Sequence, residues 1–102
     1  MEGSSVISTE VLARYAGDAA REVAGVAGLA ESPLHRDRVE ISSSNGTTAV
    51  TVHLELEWGS RAADVAREVQ TRVAEYLERM ANVTVASVDV VVDGVGAPPA
   101  KQ

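Results

Sequence analysis

The segment Val50-Thr-Val-His-Leu-Glu-Leu-Glu-Trp58 alternates apolar and polar residues over nine positions and is followed by Gly59. Alternation with a period of two puts the apolar residues on one face of a β-strand, and no helix would group them in this way. The apolar residues are therefore predicted to face a core, with Trp58 at its rim. The polar residues are predicted to face the other way; they are Thr51, His53, Glu55 and Glu57.

A β-hairpin is predicted immediately before this segment. Asn45-Gly46 is typical of a two-residue type I′ turn between strands, and the preceding strand covers residues 38–44. The apolar residues of both strands then share one face, and a one-residue slip would separate them. The register predicts these facing pairs: Ser44 and Thr47, Ile41 and Val50, Val39 and Val52, Arg38 and His53, and Arg36 and Glu55.

The first predicted helix begins after Ser8 or Thr9 as the N-cap, with Glu10 in its first turn. Gly25 and Gly28 are predicted to end it. Its apolar face recurs every four residues and comprises Val11, Tyr15, Ala19 and Val23, flanked by Leu12, Ala16 and Ala20. Residues 25–37, which include the Ser32-Pro33 step, are predicted to be a connection without regular structure.

The second predicted helix covers residues 62–80, with Ser60 as its N-cap and Asn82 as a left-handed stop. Its apolar stripe has helical spacing and comprises Val65, Val69, Val73, Tyr76, Leu77 and Met80. A last strand follows from Val83 to about Val95. Its valines change phase across Ala86-Ser87, which predicts a bulge there.

These elements predict a two-layer α/β (α+β) sandwich in the order α-β-β-α-β. A three-stranded mixed sheet would carry both helices on one face, with the last strand parallel to the strand of residues 50–58. Residues 8–95 would form one domain, between an N-terminal tail (1–7) and a disordered C-terminal tail (96–102). The face without helices would carry Arg38, Glu40, Thr51, His53, Glu55, Glu57, Asp89, Val91 and Asp93.

Composition narrows the possible functions. The net charge is −6, which argues against nucleic-acid binding because that affinity comes from Lys and Arg. There is no cysteine, so neither a disulfide nor a thiolate metal site is expected. No apolar run is long enough to span a bilayer, and the N-terminus lacks a signal-peptide pattern. We therefore expect a cytoplasmic protein without a cofactor.

Two motifs keep other functions open. His53 and Glu55 lie on one strand face and could ligate a metal, although no second histidine or cysteine lies near them. Gly25-Val-Ala-Gly28 has the GxxG spacing of KH RNA-binding domains, but it contains no cation and leads from a helix toward a strand. No spacing indicates a nucleophile or a phosphate loop.

Five segments taken in order resemble the alkaline shock protein family of Gram-positive bacteria. They are Ile7-Ser-Thr-Glu-Val11, Glu22-Val-Ala-Gly-Val-Ala-Gly-Leu29, Val50-Thr-Val-His-Leu-Glu-Leu-Glu-Trp-Gly59, Val65-Ala-Arg-Glu-Val-Gln-Thr-Arg-Val73 and Val85-Ala-Ser-Val-Asp-Val-Val-Val-Asp-Gly-Val95. The composition is rich in Ala, Arg and Val, and in this it resembles that of an actinobacterial member of the family. Ser60-Arg61-Ala62 departs from the family's more usual proline-containing helix start.

The resemblance implies a non-enzymatic protein of the cell-envelope stress response. Such a protein would self-associate or bind a small membrane-anchored partner, which would recruit it to the inner face of the membrane. An open sheet edge can add a strand from another chain, and the candidate interface residues are Thr51, His53, Asp89 and Val91. A KH-like RNA-binding domain and a small-ligand or metal-binding module at His53 and Glu55 remain the alternatives.

Overall fold

The computed structural model describes residues 8–29 and 38–96. Two helices and four strands follow one another as α1 (Thr9–Arg21), β1 (Val26–Leu29), β2 (Val39–Ser44), β3 (Thr47–Leu56), α2 (Ala62–Ala81) and β4 (Thr84–Val95). Both helices contribute to a single hydrophobic core against one face of the sheet, which confirms the predicted two-layer α+β architecture. The predicted tail at residues 1–7 lies outside the described residues, as do positions 97–102 of the predicted C-terminal tail, so the domain limits stay a prediction.

β3 is the central strand of the sheet. β4 runs parallel to it along its whole length. On the other edge of β3, β2 pairs antiparallel with residues 47–52 and β1 pairs antiparallel with residues 54–56. The sheet therefore has four strands rather than the predicted three, but it is three strands wide because β1 and β2 lie one after the other along the same edge.

The predicted hairpin register is confirmed. Asn45 and Gly46 form the turn with φ of 53° and 80°, and Ile41 faces Val50 as expected. The His53 N–H donates to the Arg38 carbonyl over 2.8 Å, which continues the pairing beyond β2. The predicted pair of Arg36 and Glu55 lies outside the described residues.

β1 was not predicted, because residues 25–37 read as a connection. Val26–Leu29 is short and contains a glycine, so its own sequence favours a strand only weakly. It pairs with β3 next to Leu54 and Leu56, where the backbone of β3 would otherwise be left without partners. The Glu57 N–H donates to the Gly25 carbonyl over 2.8 Å and extends this pairing by one bond.

α1 begins where the sequence predicted, because the Val11 N–H donates to the Ser8 side chain over 3.2 Å. Its buried face keeps most of the predicted residues but is rotated slightly toward the predicted flanking ones. Val11 is exposed, and the helix positions that reach the core are Leu12, Ala16, Gly17, Ala19 and Ala20. The helix ends at Arg21, Gly25 follows with φ of 97°, and Gly28 belongs to β1 rather than to a helix stop.

α2 ends at the predicted left-handed residue, Asn82, with φ of 56° and ψ of 41°. Two details of its prediction were wrong. Arg61 occupies the N-cap without a side-chain hydrogen bond, while the Ser60 hydroxyl donates to the Glu57 carbonyl instead. Met80 is exposed, because the buried line runs strictly every four residues through Val65, Val69, Val73, Leu77 and Ala81.

β4 contains two irregularities in its pairing with β3. The first is the predicted one: Val85 faces Thr48 and Ser87 faces Ala49, so Ala86 is the extra residue. The second was not predicted and leaves Asp93 as the extra residue between Val92 and Gly94. Asp93 lies on the open side of the sheet, within the candidate surface described below.

Candidate interaction surface

The sheet face opposite the helices, here called the open face, brings the predicted interface residues together. The register places Thr51 beside Asp89 and His53 beside Val91, with Glu40 of β2 facing Thr51 from the other side. The four predicted residues thus form one contiguous patch across β3 and β4. Their role as an interface stays a prediction.

His53 lies between two carboxylates on neighbouring strands. Its Nδ1 is 3.0 Å from Asp93 Oδ2 on β4, and its Nε2 is 3.2 Å from Glu40 Oε2 on β2. The imidazole is half-buried, with 19% of its side chain exposed, whereas both carboxylates are more open to solvent. A neutral imidazole can donate to only one of these carboxylates, while an imidazolium can donate to both. His53 is therefore a polar link across three strands.

We expect His53 and Asp93 to stabilise the fold together by about 0.5–1 kcal/mol, as partly exposed cross-strand pairs do. A double-mutant cycle with His53→Gln and Asp93→Asn, followed by urea unfolding, measures this coupling. The surface pair of Arg72 and Glu68 on α2, 2.9 Å apart, is the reference and should couple less strongly. A coupling near zero for the first pair would mean that the His53 contacts contribute nothing in solution.

The predicted metal pair is His53 and Glu55. Among the described residues, no group of three His, Cys, Asp or Glu side chains is placed to hold a metal ion. Glu55 faces Gly94 of β4 on the open face, while Asp93 and Glu40 flank the His53 ring. A metal function for His53 and Glu55 thus stays a prediction that no observed geometry favours.

The outer side of β4 carries backbone groups directed away from β3. Backbone groups of successive residues in a strand point to opposite edges. The N–H groups of His53 and Glu57 bond toward β2 and β1, so the odd-numbered residues of β3 face that side and the even-numbered residues bond to β4. The bond from the Gly96 N–H to the Leu56 carbonyl, 2.7 Å, fits this pattern. It follows from the register that the other side of β4, here called the β4 edge, presents the N–H and C=O groups of Val88, Val90, Val92 and Val95.

One group of the β4 edge is already capped. The Gln70 side-chain amide of α2 donates to the Val88 carbonyl over 3.0 Å, in a partly buried position. In the part of the chain that the structure describes, β4 pairs with no strand other than β3. The backbone groups of Val90, Val92 and Val95 therefore form the uncapped part of the β4 edge.

Replacing Gln70 by alanine should cost about 1 kcal/mol of folding free energy, because the partly buried Val88 carbonyl loses its donor. Glu75→Ala, on an exposed site of the same helix, should stay within about 0.5 kcal/mol of the parent protein. Thermal or urea unfolding of both variants checks this expectation. Equal stabilities would show that water replaces the Gln70 amide at no cost.

Exposed apolar side chains surround the far end of the β4 edge. Val92 and Val95 are 38% and 57% exposed on the helix side of the sheet, and Val91 is exposed on the open face. Trp58 is 57% exposed, which corrects the prediction that it lies at the core rim. β3 ends at Leu56, and the chain turns at Trp58 and Gly59 before the indole can continue the alternation. The glycine that follows Trp58 was the sequence signal for this turn.

The sequence match identifies the family. Residues 1–97 match the profile of the alkaline shock protein 23 family, described as having a cell envelope-related function. The chain belongs to this family. The predicted resemblance is thereby confirmed over almost the whole chain. No curated protein sequence is significantly similar to it.

Solved structures show the same fold in the MamM CTD. A variant in its copper form superposes with a TM-score of 0.66 at 16% sequence identity, covering 85% of this chain and 98% of that chain. A second variant, in its nickel form, gives 0.64 at 16% identity, with 83% and 96% covered. A third gives 0.65 at 16% identity, with 84% and 94% covered. At this level of identity, the likeness extends to the fold of this alkaline shock family protein.

The GxxG segment of this family member has a structural explanation. Gly25 lies at the turn between α1 and β1, and Gly28 lies within β1, so the four residues do not join two helices as a KH loop does. A Cβ on Gly25 would lie 2.6 Å from Cγ2 of Val65, so no larger residue fits there without displacement. Gly25 thus allows close packing of the α1–β1 turn on α2.

An open cleft of about 230 Å³ lies between α1 and β2, at the other side of the sheet from the β4 edge. It is lined by Thr9, Glu10, Ala13, Val39, Glu40 and Ile41.

Neither helix in the described ranges is long and apolar enough to cross a bilayer.

Proposed function

We propose that this alkaline shock family protein is a non-enzymatic interaction protein of the cell-envelope stress response, working in the cytoplasm by adding a strand from another chain to the β4 edge. The added strand comes from a second copy of the protein or from a membrane-anchored partner that recruits it to the membrane. The uncapped backbone of the β4 edge is the observation that carries this proposal. The cell envelope-related description of the family supports its setting.

β4 lacks most of the features by which proteins protect an exposed strand. Edge strands are usually short, or carry lysine or proline that prevents pairing with other chains. β4 is 12 residues long and contains no lysine, arginine or proline. Its two bulges and its two aspartates are the features of this kind that it has. A long edge of this kind, bordered by exposed valines, favours strand addition.

The opposite edge of the sheet is divided between two short strands. β1 has 4 residues and β2 has 6, and both pair with β3 on the side away from β4. α1 contacts both of these strands. The β4 edge is a single strand of 12 residues, and among the described residues the Gln70 amide is the only group that caps its outer backbone, so it is the better site for another chain.

Sedimentation velocity over a wide range of protein concentration tests the proposal, together with amide hydrogen exchange of β4. We expect one of two results. Either the protein associates reversibly into dimers and larger assemblies, or the Val90 and Val92 amides become protected when the membrane-anchored partner is added. Val92→Lys should abolish the effect. Met80→Lys, which also places a cation on an exposed apolar site, should leave it unchanged. A protein that stays monomeric with freely exchanging β4 amides under all these conditions would contradict the proposal.

A further inference from the structure

We propose that the strand added at the β4 edge is an extended protein segment with Lys or Arg at every fourth position, on its open-face side, rather than a second β4. This inference rests on the proposed function and specifies the chemistry of the partner. It is drawn from three properties of the edge: its free backbone groups, the sign of its charges and the position of its apolar side chains.

The backbone groups set the length of the site. Val90, Val92 and Val95 direct their N–H and C=O groups outward, and the Gln70 amide blocks the Val88 carbonyl at the near end. An added strand can therefore run alongside residues 90–95 without displacing Gln70. This region accommodates an extended segment of about six residues at roughly 3.3 Å per residue. Main-chain hydrogen bonds of this kind give affinity without sequence preference, so side chains must supply the specificity.

The charged side chains of β4 are both negative. Asp89 and Asp93 are the only charged residues of β4, and both lie on the open face. Glu55 lies one strand further in, beside Gly94. If the β4 strands of two copies paired antiparallel, four aspartates would lie on one face of the interface. Like charges across a strand pair are destabilising. A segment with cations on its open-face positions would instead pair with Asp89 and Asp93.

The exposed valines define the remaining positions of the partner. Val91 lies between the two aspartates on the open face, so a small or apolar residue is expected between two cations there. On the other face Val92 and Val95 are exposed at 38% and 57%, and apolar partner residues would cover them. The partner segment is thus amphipathic in the manner of a strand, basic on one face and apolar on the other.

A capped nine-residue peptide tests this partner chemistry. The probe is Lys-Val-Thr-Val-Lys-Val-Thr-Val-Lys, and its control has glutamate in place of every lysine. Binding to the full chain is followed by amide exchange and by chemical-shift changes. We expect protection of the Val90, Val92 and Val95 amides by the lysine peptide alone, with affinity that falls as salt is added.

Three variants separate strand addition from general attraction between opposite charges. Val92→Pro removes an N–H from the β4 edge but none from the bonds to β3, and should weaken binding at least tenfold. Asp89→Lys should weaken it about tenfold. Glu78→Lys, the same charge reversal on an exposed site of α2, should change it less than twofold. Unfolding curves confirm that each variant is folded, and Asp89→Lys serves as the test if Val92→Pro is not.

The outcomes distinguish this inference from the proposed function. If Glu78→Lys weakens binding as much as Asp89→Lys does, or if Val92→Pro has no effect, the peptide binds by net charge and the inference is overturned. If neither peptide binds but the protein self-associates with protected β4 amides, the partner is a second copy. The inference then fails while the proposed function stands. If β4 is protected under no condition, both fail.

Discussion

Replacing Leu54 by alanine should lower the free energy of unfolding by about 3 kcal/mol, through lost apolar burial and the cavity left behind. Leu54 is fully buried in the second half of β3. It faces Leu29 on one neighbouring strand and Val92 on the other, so the surrounding chain cannot easily collapse onto the vacated space. Urea unfolding measures the change, and an unchanged m-value would show that the denatured state is not altered.

Trp58→Ala is the matched control, because the indole is larger than the leucine side chain and belongs to the same alternating segment. It is more than half exposed, so its removal should cost less than about 1 kcal/mol. As this is the only tryptophan in the chain, its fluorescence should be that of a solvated indole and should be quenched readily by iodide. A loss as large as that of Leu54→Ala would show that Trp58 packs into the core after all.

Gly25→Ala should destabilise the protein by about 2–4 kcal/mol. A residue other than glycine at φ of 97° costs about 1–2 kcal/mol. The added Cβ would also lie 2.6 Å from Val65 Cγ2 and 3.3 Å from Ser60 Cβ, and overpacking of this kind costs about 1–3 kcal/mol. Because Val65 is part of the buried line of α2, relief would require a shift of that helix.

Gly59→Ala separates these two causes. Gly59 also has a positive φ, 86°, but a Cβ there would meet no atom within 4 Å. It should therefore cost only the backbone contribution, about 1–2 kcal/mol. Thermal unfolding of both variants gives the difference, which is the cost of the contact with Val65. Equal losses would mean that the turn before β1 can move away from α2 freely.

The two edges of the central strand, β3, are covered in different ways, and this difference leaves a long free strand edge on one side of the sheet. Two short strands, β1 and β2, pair with one edge of β3, and α1 contacts both of them. On the other edge it places one long strand with no cation and leaves most of its outer backbone uncapped. Interaction through the β4 edge is therefore consistent with the architecture as a whole.

The elements with strong local signals followed from the sequence. Asn45-Gly46 fixed the hairpin register, because a type I′ turn and a shared apolar face allow only one pairing of β2 with β3. The phase change of the valines across Ala86-Ser87 located the first bulge of β4. Asn82 ended α2, since asparagine tolerates the left-handed conformation that closes a helix. Each signal acts over a few residues, so it can be read without knowing what packs against it.

The candidate surface depended more on tertiary structure. The sequence placed His53, Asp89, Val91 and Asp93 on the open face. It did not predict the contact between His53 and Asp93, because that contact depends on how β4 is aligned along β3. The exposure of Trp58 was missed because the alternation continues past Leu56, where the strand stops. The hydrogen bond from Gln70 to Val88 could not be predicted from α2 alone. The helical periodicity does not distinguish a glutamine that bonds to a neighbouring strand from one that faces solvent.

The sequence by itself determined the two layers, the order of the main elements and the register of the hairpin, because periodicity and turn residues act locally. Only the tertiary structure decided β1, the rotation of the buried face of α1 and the free edge of β4. Those features depend on which backbone groups of β3 remain to be paired after β2 is placed, and on which helix face then meets the sheet. Such choices are made between segments far apart in the chain, so no single segment encodes them.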